Sequence, residues 1–428
     1  MGVQRSFVSL PSPTMPRAGH GSFPCQGLWW TPSSGKAPAT ALIASHYNID
    51  FAEHYLAEPL AERGFGFLGW NTRYRGNEPY FLLEHAVIDL GVGVRWLREQ
   101  GVERVVLLGN SGGGSLMAAY QSQAVEPNLR PAAGRPLPDA ALDLPTADAF
   151  ISLNAHLGRP DVMTAWIDPS VVDERDPLSR DPQLDMYDPA NGPPYAPEFV
   201  ARYRAAQVAR NHRISAWART ELERLAAAGA GDTVFPVHRL WADLRFTDLT
   251  LDPSDRVWGC YAGDPQRANA GPLGFGRSST CRTWLSMWSL EDSQCRAEPH
   301  LGRITSPSLL VQSLGDTGIF PSDARAIYDA MGAADKTTVR RHRGGRRRRR
   351  AGPLRAGGGG LAQHRRRRAD GGAEPRRPAV GGRPPRRPPL RGRAAAADRI
   401  GLRPAARAAL HPARRRAGGG ARVPGRDL

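Results

Sequence analysis

Five consecutive residues, Gly109-Asn110-Ser111-Gly112-Gly113, have the types and order that acyl chemistry uses. A serine hydroxyl becomes a useful nucleophile when a tight turn exposes it, when a base takes its proton and when backbone amides face the oxygen of the carbonyl it attacks. Glycines on both sides of Ser111 suit such a turn, because a β-carbon at either place would meet neighbouring chain. As a bare string Gly-x-Ser-x-Gly is common, so its meaning rests on the elements around it.

Those elements are legible. Arg104 to Leu108 (RVVLL) is an apolar strand core that runs directly into the glycines, and Leu116, Met117 and Tyr120 begin a helical pattern after them. The serine is therefore expected at a strand–turn–helix junction, with the Gly112 amide at the helix N-terminus available to a developing oxyanion. A dinucleotide fingerprint, G-x-G-x-x-G, is not present. Upstream, Thr40 to Ser45 reads as a buried strand ending at His46-Tyr47-Asn48, and Asp50 with Glu53 reads as the capping-box start of a helix carrying Phe51, Tyr55, Leu56 and Leu60. Phe65 to Trp70 reads as a strand. Leu83, Val87, Leu90, Val94 and Leu97 then recur on one helical face until Gly101. Short apolar runs alternating with helical segments predict an α/β fold with a mostly parallel central sheet flanked by helices.

In this context the chain resembles the α/β-hydrolase family, with Gly109-Asn110-Ser111-Gly112-Gly113 matching the nucleophile elbow, over about residues 26 to 336. The resemblance implies a Ser-Asp-His triad and an oxyanion hole. His46-Tyr47-Asn48 matches the position of the family's oxyanion loop, so the Tyr47 amide is implied as the second donor beside Gly112, with tyrosine where the family has glycine. It also implies that the acid follows a late strand. Ser306 to Leu314 is such a strand, Gly315-Asp316-Thr317 follows it, and Asp316 is the candidate to orient an imidazole. The histidine is implied some 25 to 40 residues further on, after one more strand. His342 is the nearest, but it stands among Arg340, Arg341 and Arg343, no strand is evident before it, and neighbouring cations oppose the imidazolium that the mechanism must form. A base is therefore wanting, and weak or absent turnover is expected.

The sequence changes character where that histidine is due. Residues 1 to 336 hold 30 Lys+Arg against 37 Asp+Glu, whereas residues 337 to 428 hold 28 Arg, no Lys and 4 acids, so the whole net charge of +17 comes from the tail. Mostly Arg, Gly, Ala and Pro without one aromatic, the tail is expected to be disordered. Its composition is what a shifted reading frame of a GC-rich gene would write. Read one nucleotide later, Ala351 to Arg355 can encode an Asp-His-Tyr string at the position the triad needs, and His364 to Arg368 a helix-like Thr-Val-Ala-Asp-Val. Taken as genuine, the tail would be a nucleic-acid-binding segment, although such segments commonly mix lysine with stacking side chains.

Between Ser111 and Asp316 lie 204 residues, more than the sheet requires, which places a cap at about residues 158 to 302. Residues 1 to 25 read as an N-terminal extension, 26 to 157 and 303 to 336 as the two parts of the core. Within the cap, residues 196 to 229 read as helical, Trp241, Trp258, Trp284 and Trp288 as packing more than pocket, and His156 as a polar residue ending the strand next to the elbow. His156, His212, His238 and His300 have no metal spacing, so no metal or cofactor is called for. Four scattered cysteines (Cys25, Cys260, Cys281, Cys295) suggest thiols rather than disulfides. No apolar stretch reaches the roughly 20 residues of a membrane span, and the N-terminus lacks a secretory h-region, so a cytoplasmic enzyme is expected. The function expected is hydrolysis of a carboxylic ester or thioester through an acyl-enzyme at Ser111, with acyl transfer on the same fold or nucleic-acid binding by the tail as alternatives.

Overall fold

The computed structural model describes residues 2–17, 23–33, 37–131 and 135–342; the Arg-rich tail from 343, with its frame-shift and nucleic-acid readings, lies outside the described residues. Eight strands form the central sheet: β1 (Val3–Leu10), β2 (Cys25–Pro32), β3 (Thr40–Ala44), β4 (Gly66–Asn71), β5 (Arg104–Ser111), β6 (Ala149–Ala155), β7 (Ser308–Ser313) and β8 (Lys336–Arg341). Their order is β1-β2-β4-β3-β5-β6-β7-β8. From β4 onward in that order every pairing is parallel, while β2 runs antiparallel to both of its neighbours. Strands such as Ala41 to Ala44 are apolar at every position because helices cover both faces of the sheet, as the sequence implied.

Helix α1 (Ala57–Ala61) is short, α2 (Leu83–Glu99) lays Leu83, Val87, Leu90, Val94 and Leu97 into the core, and α3 (Gly113–Val125) is buried from Gly113 to Gln123. Between β6 and β7 the chain inserts α4 (Arg159–Trp166), the 31-residue α5 (Pro197–Ala227) and several shorter pieces; α6 (Pro321–Ala330) follows β7. The four cysteines are buried and free. Among the described residues no helix is long and apolar enough to cross a membrane.

Three expectations are corrected. Residues 1 to 25 are not a mere extension, because Val3–Leu10 pairs with Cys25–Pro32 along its full length and forms one edge of the sheet. No helix starts at Asp50: its carboxylate accepts from the Ala52 amide, the Asn71 side chain and Arg75, which holds a turn, and the helix begins at Ala57 with Pro59 in its first turn. The core does not end at Lys336 either. A strand does precede His342, since Lys336–Arg341 pairs in parallel with Ser308–Ser313. Its side chains are almost all exposed, as befits an edge strand, and edge strands take charged residues without cost to pairing.

Candidate active site

The elbow forms where β5 turns into α3. Ser111 has φ +55°, a left-handed conformation that a residue with a β-carbon adopts only under strain, and neighbouring backbone imposes it. A β-carbon at Gly109 would lie 2.6 Å from the Gly114 α-carbon, and one at Gly113 would lie 2.3 Å from the Ser45 carbonyl oxygen. Strand end, helix start and the loop after β3 thus touch through bare backbone, and Ser111 is left half-buried on the tip. Asn110 anchors the turn from beneath. Its amide donates to the Leu153 carbonyl at 2.8 Å, and its carbonyl meets Nε2 of buried His54 at 3.1 Å. Because His54 Nδ1 accepts from the Leu56 amide, Nε2 carries the proton and donates to Asn110.

The oxyanion-loop residues lie against the same turn. Tyr47 is buried, with its hydroxyl 3.1 Å from Ser115 Oγ in the first turn of α3, which ties the loop to the elbow. His46 Nδ1 accepts from the amides of Asn48 and Ile49, so its proton is on Nε2; burial first, then the charge of Arg159, pushes its pKa well below the ordinary histidine value and keeps it neutral. Gly112 is the N-cap of α3, where the first amides of a helix have no intrahelical acceptor.

Asp316 stands in the turn after β7, whose end is clamped by Asn154: its side-chain oxygen accepts from the Ser313 amide at 2.7 Å and its nitrogen lies 3.3 Å from Ser313 Oγ. Asp316 Oδ1 accepts from the amides of Gly318 and Ile319 and from the Tyr261 hydroxyl, whereas Oδ2 has no partner among the described residues. No histidine reaches it there. His342, directly after β8, has Nδ1 2.9 Å from the Asp255 carboxylate and a largely exposed side chain. The elbow and the loop that carries Tyr47 are therefore in contact, Asp316 lies two strands away in the sheet, and no imidazole between them is supplied by the described residues.

A cavity of about 660 Å³ opens beside the sheet's C-terminal edge, lined among others by His156, Trp166, Arg204, Leu251 and Gly318; Ser111 does not line it. His156 is buried, and burial first, then the charge of Arg159, pushes its pKa well down, so it is a neutral wall group. At the same wall Asp323 caps α6 by accepting from the Phe320 amide at 3.0 Å. Burial pushes its pKa up to about 6, against partial relief from Arg245. A raised acid binds its proton more tightly in the folded state, so its contribution is full below pH 4 and is lost as pH rises through 6. Asp323→Asn keeps the acceptor and removes the charge. It should raise stability at pH 8 by about 2 kcal/mol and change little at pH 4, read from urea midpoints at both values.

The residue that sequence reasoning missed is Arg159, the first residue of α4, fully buried against Gly112, His46 and Tyr47. A single arginine after a strand carries no periodic or motif signal, so nothing in the chain announces it.

No family model and no curated protein matches the sequence. Solved structures are similar in fold: the esterase domain of a Rhodothermus marinus protein (12% identical, covering 79% of this chain and 87% of that one, TM-score 0.36), the alpha/beta hydrolase GrgF from Penicillium sp. sh18 (11%, 79% and 90%, 0.43) and a monoacylglycerol lipase from Paleococcus ferrophilus (14%, 80% and 89%, 0.37).

Proposed function

We propose that this chain, whose strand order and crossovers give it the α/β-hydrolase fold, hydrolyses small carboxylic esters or thioesters through an acyl-enzyme at Ser111. The observation that carries the reading is the strained Ser111 at φ +55° on a turn where only glycine fits at positions 109 and 113. Strain of this kind persists where the surroundings over-determine it, and here it holds the hydroxyl at the tip of the elbow.

In the proposed reaction Ser111 Oγ attacks the acyl carbon, and the carbonyl oxygen takes up charge that the Gly112 and Tyr47 amides receive. Collapse expels the alcohol or thiol, and water then releases the acid. Asp316 is the orienting acid. Two loop amides and Tyr261 fix Oδ1, which leaves Oδ2 to accept from an imidazole N–H. The imidazole that would complete the relay is not supplied by the described residues. His342, directly after β8, is turned to Asp255.

The test is covalent capture: a fluorophosphonate probe followed by peptide mapping should place the label on Ser111. A folded chain that takes no label there contradicts the proposal. Asp316→Asn keeps the acceptor used by the loop amides but offers an N–H where the imidazole needs a lone pair. It should lower kcat on p-nitrophenyl esters about a hundredfold with KM little changed, and an unchanged kcat would remove Asp316 from the mechanism.

A further inference from the structure

Arg159 is 1% exposed, yet no carboxylate pairs with it among the described residues. Arg210, equally buried, is matched by Glu174 at 2.6 Å, and buried Arg256 is met by four backbone carbonyls. The Arg159 guanidinium instead donates from Nη2 to the Asn48 side-chain oxygen at 2.7 Å and lies over the rings of Tyr47, Trp288 and Phe275 at 4.7, 5.5 and 5.6 Å. Its Nε has no hydrogen-bond partner among the described residues. The carboxylate that acts on it from further off, Glu78, has its oxygens engaged by Asn48 Nδ2 and the Gly276 amide. Aromatic faces and one amide oxygen offset a buried cation only in part, and a guanidinium without a counter-charge is costly to retain.

Its position gives that charge a purpose. A β-carbon on Gly112 would stand 2.5 Å from Arg159 Nη2 and 2.8 Å from His46 Nε2, so a cation and a neutral N–H donor converge beside the residue that follows the nucleophile. We propose that Arg159 and His46 form an anion subsite for a carboxylate carried on the acyl part of the substrate, a few carbons from the scissile carbonyl. The half-ester of a short dicarboxylic acid is the substrate class that such a charge would recognise. This deepens the ester-hydrolase reading and rests on it for the reaction, but the subsite itself can be tested by binding alone.

In a Ser111→Ala background, succinate and butyrate have equal carbon number and differ by the second carboxylate. Succinate should bind at least tenfold more tightly by titration calorimetry, and Arg159→Met should bring the ratio close to one. Arg159→Met should also melt no lower than the parent, because it removes an unpaired buried charge at similar volume; should it fail to fold, Arg159→Gln keeps a donor toward Asn48 without the charge and takes its place. Equal affinities in the parent, or a ratio that survives both substitutions, overturn the subsite. A loss that is equal for the two acids also overturns it and moves Arg159 to the oxyanion. Succinate binding that depends on Arg159 in a chain that acylates with no ester would keep the subsite and remove the hydrolase reading.

Discussion

Replacing Ser111 by alanine should reduce acylation by p-nitrophenyl esters at least a thousandfold, read as loss of the first equivalent of p-nitrophenol, and leave the melting temperature where it was. The two halves of that expectation have separate causes. Acylation needs an oxygen at the tip of the elbow, and no other hydroxyl shares the position: Ser115 in the next turn of the helix is spent on Tyr47 and the Gly112 carbonyl. Stability is indifferent because alanine keeps the β-carbon, so the φ of +55° costs the same with or without the hydroxyl. Ser111→Gly separates the effects. It should abolish acylation equally and raise stability by about 1 kcal/mol, since glycine enters the left-handed region without penalty. Acylation that survives in Ser111→Ala would mean that the nucleophile is elsewhere and that the strained turn has another use.

The parts of this architecture that could be read from sequence are those whose cause is local. The elbow is a contact between residues at most five apart, Gly109 with Gly113 and Gly114, so the constraint that forces glycine lies inside the string itself. Helix α2 is legible for the same reason, its face repeating within seventeen residues. What the chain conceals is fixed at a distance. Strand β1 looks like an extension because its partner β2 is the evidence for it, and β8 looks like the start of the tail because an edge strand needs no apolar pattern. The helix expected at Asp50 fails because Asn71 and Arg75, some 20 residues away, take its carboxylate. Arg159 is the extreme case: its neighbours Gly112, His46 and Phe275 come from three remote segments, and only their meeting turns a lone arginine into a buried charge.

That same meeting makes Gly113 the most sensitive position in the site. Gly113→Ala puts a methyl group 2.3 Å from the carbonyl oxygen of Ser45, a collision of side chain with backbone that no rotamer change relieves. Either α3 or the Ser45–Tyr47 loop must retreat. Helix α3 from Gly113 to Gln123 and the Ser45–Tyr47 loop are both buried and close-packed interiors yield little, so whichever element gives way separates the Tyr47 amide from the elbow. The expected result is a loss of about 2–3 kcal/mol in unfolding free energy together with a fall of at least a hundredfold in acylation. Gly101→Ala is the matched control. Its φ of +82° imposes a backbone penalty, but nothing lies within 4 Å of the new methyl group, so it should lose about 1 kcal/mol and acylate normally. Measured by urea unfolding and p-nitrophenol release, a Gly113→Ala chain that loses stability but keeps its acylation rate would show that the Tyr47 amide does not serve the oxyanion. The hole would then have to be completed by another donor beside Gly112.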